Sequence, residues 1–205
     1  MLKIATTAAA FLFLLQLPLQ PSRLDTSGTI TYFIEDGRGV PGYRDSDREL
    51  AVFALNAWSH ESGNQLKFAE SKSRDAAIIR FHWISPAEGL FGEMQRVSVN
   101  GKLGAIVNVM PQVSAQGEPL ASRAAQDPLL RDTIVYLTCV HELGHAVGLS
   151  HTTRFQDIMY YFGYGGDIVD YFMRYRSKLH VRADIPKYSG LSASDVQVLR
   201  ALYKN

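Results

Sequence analysis

Three histidines and one glutamate between positions 141 and 151 constrain this chain more than any other feature, because their spacing suits only one local backbone path. The run His141-Glu142-Leu143-Gly144-His145-Ala146-Val147-Gly148-Leu149-Ser150-His151 is followed eight residues later by Met159. Positions four apart on a helix share a face, with Cβ atoms roughly 5–6 Å apart, so His141 and His145 can aim both imidazoles at one point. His151 falls off that face, so the helix must end and the chain must turn back. Gly148 supplies the turn, since glycine readily takes the left-handed conformation that terminates helices. Glu142 leaves the helix on a neighbouring azimuth, beside the converging rings but outside them.

Three imidazoles on one metal leave a fourth position for water, the arrangement of catalytic rather than structural zinc. A carboxylate next to the first ligand stands where a general base must stand to reach that water. At ordinary residue frequencies a bare HExxH arises in under roughly one chain per hundred of this length. Gly148, His151 and Met159 at fixed offsets reduce that by several further orders of magnitude, so coincidence is excluded.

The run from His141 to His151 resembles the zinc signature of the metzincins, and the short step to Met159 resembles the Met-turn spacing of the matrixins. Ile30-Thr31-Tyr32 is similar to the matrixin first strand, residues 51–58 to the first helix, and Leu191-Ser192-Ala193-Ser194-Asp195-Val196 to the start of the last helix. The resemblance implies an α+β metzincin fold: a twisted mixed β-sheet, an active-site helix, a first helix packed on the sheet, and a C-terminal helix below the Met-turn. It implies a zinc metalloendopeptidase with His141, His145 and His151 as metal ligands, Glu142 as the catalytic base and Met159 as an apolar floor beneath the ion. It also implies that Asp195 bonds to the Met-turn. The strand containing Gly104, Ala105, Ile106 and Val107 would be the sheet edge over the cleft, pairing with an extended peptide substrate; a plain edge protected by its neighbours is the alternative. A catalytically inactive zinc-binding pseudoprotease is the rival reading of function.

Several departures from the matrixin pattern limit what carries over. Only about nine residues separate the apolar N-terminal segment from Thr29, and none is a cysteine that could cap the metal. Residues 88–109 hold no histidine for a second, structural zinc, so one Zn2+ is expected, while calcium is left open. Residues 163–189 form a long insert in which 167–179 reads as an amphipathic helix, with Ile168, Phe172, Tyr175 and Leu179 on one face, bordering the primed-side pocket. Tyr161 follows Met159 where matrixins usually carry proline. Its hydroxyl is a candidate oxyanion donor, and the competing role is a pocket wall shared with Tyr160, Phe162 and Tyr164.

The chain has 205 residues, 46% of them hydrophobic, and a formal charge of +1, which suits one globular domain with a sizeable core; a monomer is expected. Near-neutral charge gives no basis for a nucleic-acid partner. Lys3 precedes an apolar run from Ala8 to Leu15 that has the length of a signal-peptide core. Residues 1–20 are therefore read as a signal peptide, with a retained membrane anchor as the alternative, residues 21–28 as a linker and 29–205 as the catalytic domain. A secreted or extracytoplasmic location follows. Cys139 is the sole cysteine, so no intrachain disulfide can form. It is read as a buried core thiol facing away from the metal.

Local signals place the remaining elements. Strands are expected at 29–34, 65–69 and 76–83, and Asn100-Gly101 marks a tight hairpin between 97–99 and 103–109. Ser46-Asp47-Arg48-Glu49 reads as a capping box opening a helix whose inner face is Leu50, Phe53, Ala54, Ala57 and Trp58. The active-site helix is expected to start near Asp132. Ser192 with Asp195 caps the last helix, with Val196, Leu199 and Tyr203 inward. His60, His82 and His180 lack ligand-like partners and are expected at the surface or in local hydrogen bonds.

Overall fold

Alternating apolar residues in the first half of the chain build a sheet, and the later helices close over one of its faces. The computed structural model describes residues 23–86 and 91–204; the expected signal peptide at 1–20 lies outside them. Five strands, β1 (Ile30–Ile34), β2 (Phe68–Glu70), β3 (Ile79–Trp83), β4 (Gly92–Val99) and β5 (Lys102–Val109), form one sheet in the order β2-β1-β3-β5-β4. All neighbours are parallel except β4 and β5, which pair antiparallel from Gly92 opposite Val109 to Val99 opposite Lys102. Asn100 and Gly101 both take positive φ, 51° and 77°, as a primed two-residue hairpin requires.

This order corrects one expectation. Gly104, Ala105, Ile106 and Val107 do not form the sheet edge: β5 pairs with β3 on one side and β4 on the other, and Ala105 and Val107 are fully buried. The edge is β4. The hairpin places its two strands side by side but carries no signal for which of them joins the parallel strands; the more apolar β5 takes the interior place.

Among the described residues, five α-helices follow or interrupt the strands: α1 (Asp47–Glu61), α2 (Leu120–Gln126), α3 (Pro128–Ala146), α4 (Ile168–Arg176) and α5 (Ala193–Leu202). Helix α1 packs on α3, and the Trp58 indole donates to the Val140 carbonyl at 2.9 Å. The Ser46 side chain makes no capping bond. Asp47 takes over that end of α1, accepting the Arg44 amide at 2.9 Å and pairing with Arg131. Helix α3 starts earlier than expected: Asp127, not Asp132, is the cap, accepting the Leu129 and Leu130 amides at 3.1 Å each. Pro128 follows at the first helical position, where its missing N–H costs nothing. Asp132 is instead a buried partner of Arg182, at 3.0 Å.

The described part of the expected linker is docked onto the domain. Leu24 is 1% exposed, and its amide donates to the Tyr203 hydroxyl at 3.1 Å. The folded unit thus includes Leu24. Helix α4 forms within the insert with Asp167 as its cap, and Val169, Tyr171, Phe172 and Tyr175 are buried. Helix α5 opens on the expected Ser192–Asp195 capping box. Among the described residues no helix is long and apolar enough to cross a membrane.

Candidate metal centre and substrate cleft

Helix α3 presents His141 and His145 on one face, and the chain reverses at Gly148, where φ is 106°. The Leu149 amide returns to the Gly144 carbonyl at 2.9 Å, and this turn delivers His151 to the two helical histidines. His151 Nε2 lies 3.3 Å from His141 Nε2 and 3.1 Å from His145 Nε2. Ligand atoms around a tetrahedral zinc at about 2.0–2.1 Å stand about 3.3–3.4 Å apart, so the separations fit that ion.

The other ring nitrogens fix the tautomers of the two helical histidines. His141 Nδ1 is 2.6 Å from the Ile158 carbonyl, and His145 Nδ1 is 3.0 Å from the Leu149 carbonyl. A carbonyl only accepts, so each Nδ1 carries the hydrogen and each Nε2 offers its lone pair. Burial drives the His141 pKa down to about 3 and lowers those of His145 and His151. The imidazoles are therefore neutral at ordinary pH, the state in which they bind metal. Among the described residues this is the group of three side chains suited to holding a metal ion.

Glu142 lines the same cleft. Burial, with some repulsion from Glu93, pushes its pKa up to about 8 against the stabilising Met94 amide. A cation on the neighbouring imidazoles opposes this shift by favouring the carboxylate. Gly92 lets the edge strand pass this closely, since a Cβ there would lie 2.7 Å from Glu142 Cγ. No local sequence pattern marks Gly92, because its placement depends on the strand order.

Met159 is fully buried beneath α3. A Cβ on Gly144 would meet Met159 Sδ at 2.3 Å and Trp58 Cζ2 at 2.9 Å, so the helix needs glycine here to sit on the methionine. Gly144→Ala is expected to destabilise the protein by about 1–3 kcal/mol through overpacking, read from urea unfolding. Unchanged stability would show that Met159 and Trp58 can yield. Asp195 Oδ2 accepts the Ile158 and Ser192 amides at 2.8 Å each, joining α5 to the Met-turn as the resemblance implies.

A 490 Å³ cavity opens beside the histidines, lined by Leu137 and Thr138 of α3 and by Ile168, Tyr171 and Phe172 of α4. The insert thus supplies one wall. Tyr160 and Tyr161 also line it, but differently. The Tyr160 ring is buried and its hydroxyl donates to the Gly165 carbonyl at 2.8 Å, which occupies that proton. Tyr161 is half exposed, its ring centroid 4.9 Å from that of His151.

The other singled-out residues stay apart from this centre. His60 is exposed, His82 lies 3.2 Å from Glu35, and His180 is at the surface. Cys139 is a buried free thiol whose pKa burial raises, as expected of a core cysteine. Two arginines that carry no local sequence signal prove structural: Arg131, buried against Asp47, and Arg96, which reaches from β4 to the end of α3.

A search of curated proteins finds no match. A family model described as Matrixin matches residues 24–167, from the docked Leu24 through the whole histidine motif and Met-turn. That covers more than two-thirds of the sequence, and the chain belongs to the matrixin family of zinc metallopeptidases.

Proposed function

We propose that this protein is an exported endopeptidase in which His141, His145 and His151 hold one zinc ion and Glu142 acts as general base. The observation that carries the reading is the trio of Nε2 atoms 3.1–3.3 Å from one another through His151, two of them fixed in tautomer, with Glu142 in the same cleft. A zinc ion held by His141, His145 and His151 would supply Lewis-acid chemistry there, acidifying water and polarising a substrate carbonyl. Glu142 takes the proton from the attacking water and returns it to the leaving amine. The His141 and His145 rings hold their orientation throughout, because the Ile158 and Leu149 carbonyls keep Nδ1 protonated.

Strand β4 is the edge that would bind an extended peptide through its unpaired backbone groups. Backbone N-methylation of the residues flanking the scissile bond is expected to slow cleavage by more than tenfold; equal rates would rule out strand pairing. Tyr161 serves as a wall of the cleft against His151. Tyr161→Phe is expected to retain kcat within about threefold, whereas a loss of a hundredfold or more would assign its hydroxyl to the oxyanion. The inactive alternative has no support from the site, where Glu142 is intact and the cavity beside it is open. Residues 1–20 act as the export signal, and the domain works as a monomer outside the cytoplasm. The reading is tested by incubating purified protein with a broad peptide library: internal cleavage that a chelator stops is expected, and no cleavage at any site would contradict it.

A further inference from the structure

The last carbonyls of an α-helix lack intrahelical partners and carry the negative end of its dipole. In α3 they lie directly behind a proposed metal ligand. Val147 N–H fills the Leu143 carbonyl and Leu149 N–H fills that of Gly144. The next three carbonyls take side chains from distant elements, and that of His145 also accepts the Gly148 amide at 3.0 Å. Arg96 of β4 donates through Nη2 to His145 O and through Nη1 to Ala146 O, both at 2.6 Å. Tyr203, following α5, donates its hydroxyl to Val147 O at 2.8 Å.

We propose that Arg96 is a positioning residue for the metal site, a cationic fork that locks the end of α3 so that the following turn presents its groups in register. The turn does two jobs. It places the Leu149 carbonyl that holds the His145 tautomer, and it launches the chain toward His151. A planar guanidinium spans two successive carbonyls with fixed geometry, which a lysine ammonium cannot match. Ala146 O has Arg96 as its donor, so removing the side chain strips that carbonyl of its partner three residues before Leu149, although the Val147 N–H of the same peptide stays on the Leu143 carbonyl. Arg96 also belongs to the edge strand, paired opposite Ala105, so the same fork ties β4 to the metal helix. Tyr203 extends the clamp outward: its oxygen accepts the Leu24 amide while its proton holds Val147 O.

This inference rests on the zinc site proposed above, and its test separates the two. Zinc affinity is measured by competition with a chromogenic chelator for wild type, Arg96→Met and Arg96→Lys, alongside the unfolding midpoint of each zinc-free protein. Wild type is expected to bind one zinc tightly. Arg96→Met is expected to bind about tenfold or more weakly, the usual effect of losing a residue that orients a ligand, with its zinc-free midpoint little changed. Arg96→Lys should recover part of the loss. If wild type binds tightly and Arg96→Met matches it within twofold, the clamp is wrong and the zinc site stands. If the affinity falls only in proportion to a loss of zinc-free stability, Arg96 is structural and the positioning role is also wrong. If wild type itself binds no zinc, the metal site fails and the clamp with it.

Discussion

Glu142→Gln is expected to lower kcat by at least about a hundredfold while the protein keeps its zinc, because general-base catalysis typically contributes 10²–10⁴-fold. Glutamine preserves the shape of a side chain packed against Gly92 and can still accept the Met94 amide. It cannot take a proton. The histidines keep their own supports, the Ile158 and Leu149 carbonyls, neither of which involves Glu142. Chemistry and metal binding should therefore separate cleanly in this variant. Single-turnover cleavage and zinc content per chain are the two readouts. Retention of more than about a tenth of wild-type kcat would remove Glu142 from the proton transfer.

The largest expected effect on stability comes from Arg131→Leu. The Arg131 guanidinium is buried, paired with both carboxylate oxygens of Asp47, and also donates to Gly42 O at 2.7 Å and Pro111 O at 3.0 Å. Asp47 is completely buried. Removing the arginine leaves that carboxylate with the Arg44 amide as its remaining donor and strands two carbonyls. Breaking a buried pair from one side costs about 3–5 kcal/mol, which for a domain of this size lowers Tm by roughly 6–20 °C. The pair fastens the front of α1 to the first turns of α3. Asp132, Arg182 and Glu49 continue the network to the segment before α5. Converting both Asp47 and Arg131 to leucine is expected to recover part of the loss, since no unpaired charge then remains buried. Urea unfolding of the two single variants and the double variant measures the coupling. A single-variant loss under about 1 kcal/mol would mean that water reaches the site.

What could be read from the sequence follows the range of each signal. The His141–His151 motif, the Asn100-Gly101 hairpin, the α4 stripe and the Ser192 cap are all set by residues within about three helical turns of one another, and each forms. The structure departs from local sequence signals where distant partners compete. Asp132 looked like a cap, but Arg182, 50 residues away, claims it, and the Asp127-Pro128 pair starts the helix instead. Ser46 looked like the head of a capping box, but Asp47 is drawn to Arg131, 84 residues away. Choosing between β4 and β5 as the edge required knowing which strand β3 would accept, and no local pattern encodes that. Arg96 and Arg131 are illegible in the sequence for the same reason, since an arginine in a strand or at a helix start looks like a solvated charge until its partner carbonyls are assembled.

The central claim is that one zinc, held by His141, His145 and His151, is required for peptide-bond cleavage. Its most direct test is a zinc titration of chelator-stripped protein with peptide turnover measured at each step. Activity is predicted to be absent in the stripped protein, to rise with added zinc and to plateau at one equivalent per chain. Undiminished turnover after complete removal of the metal, or a plateau only at two equivalents, would contradict it.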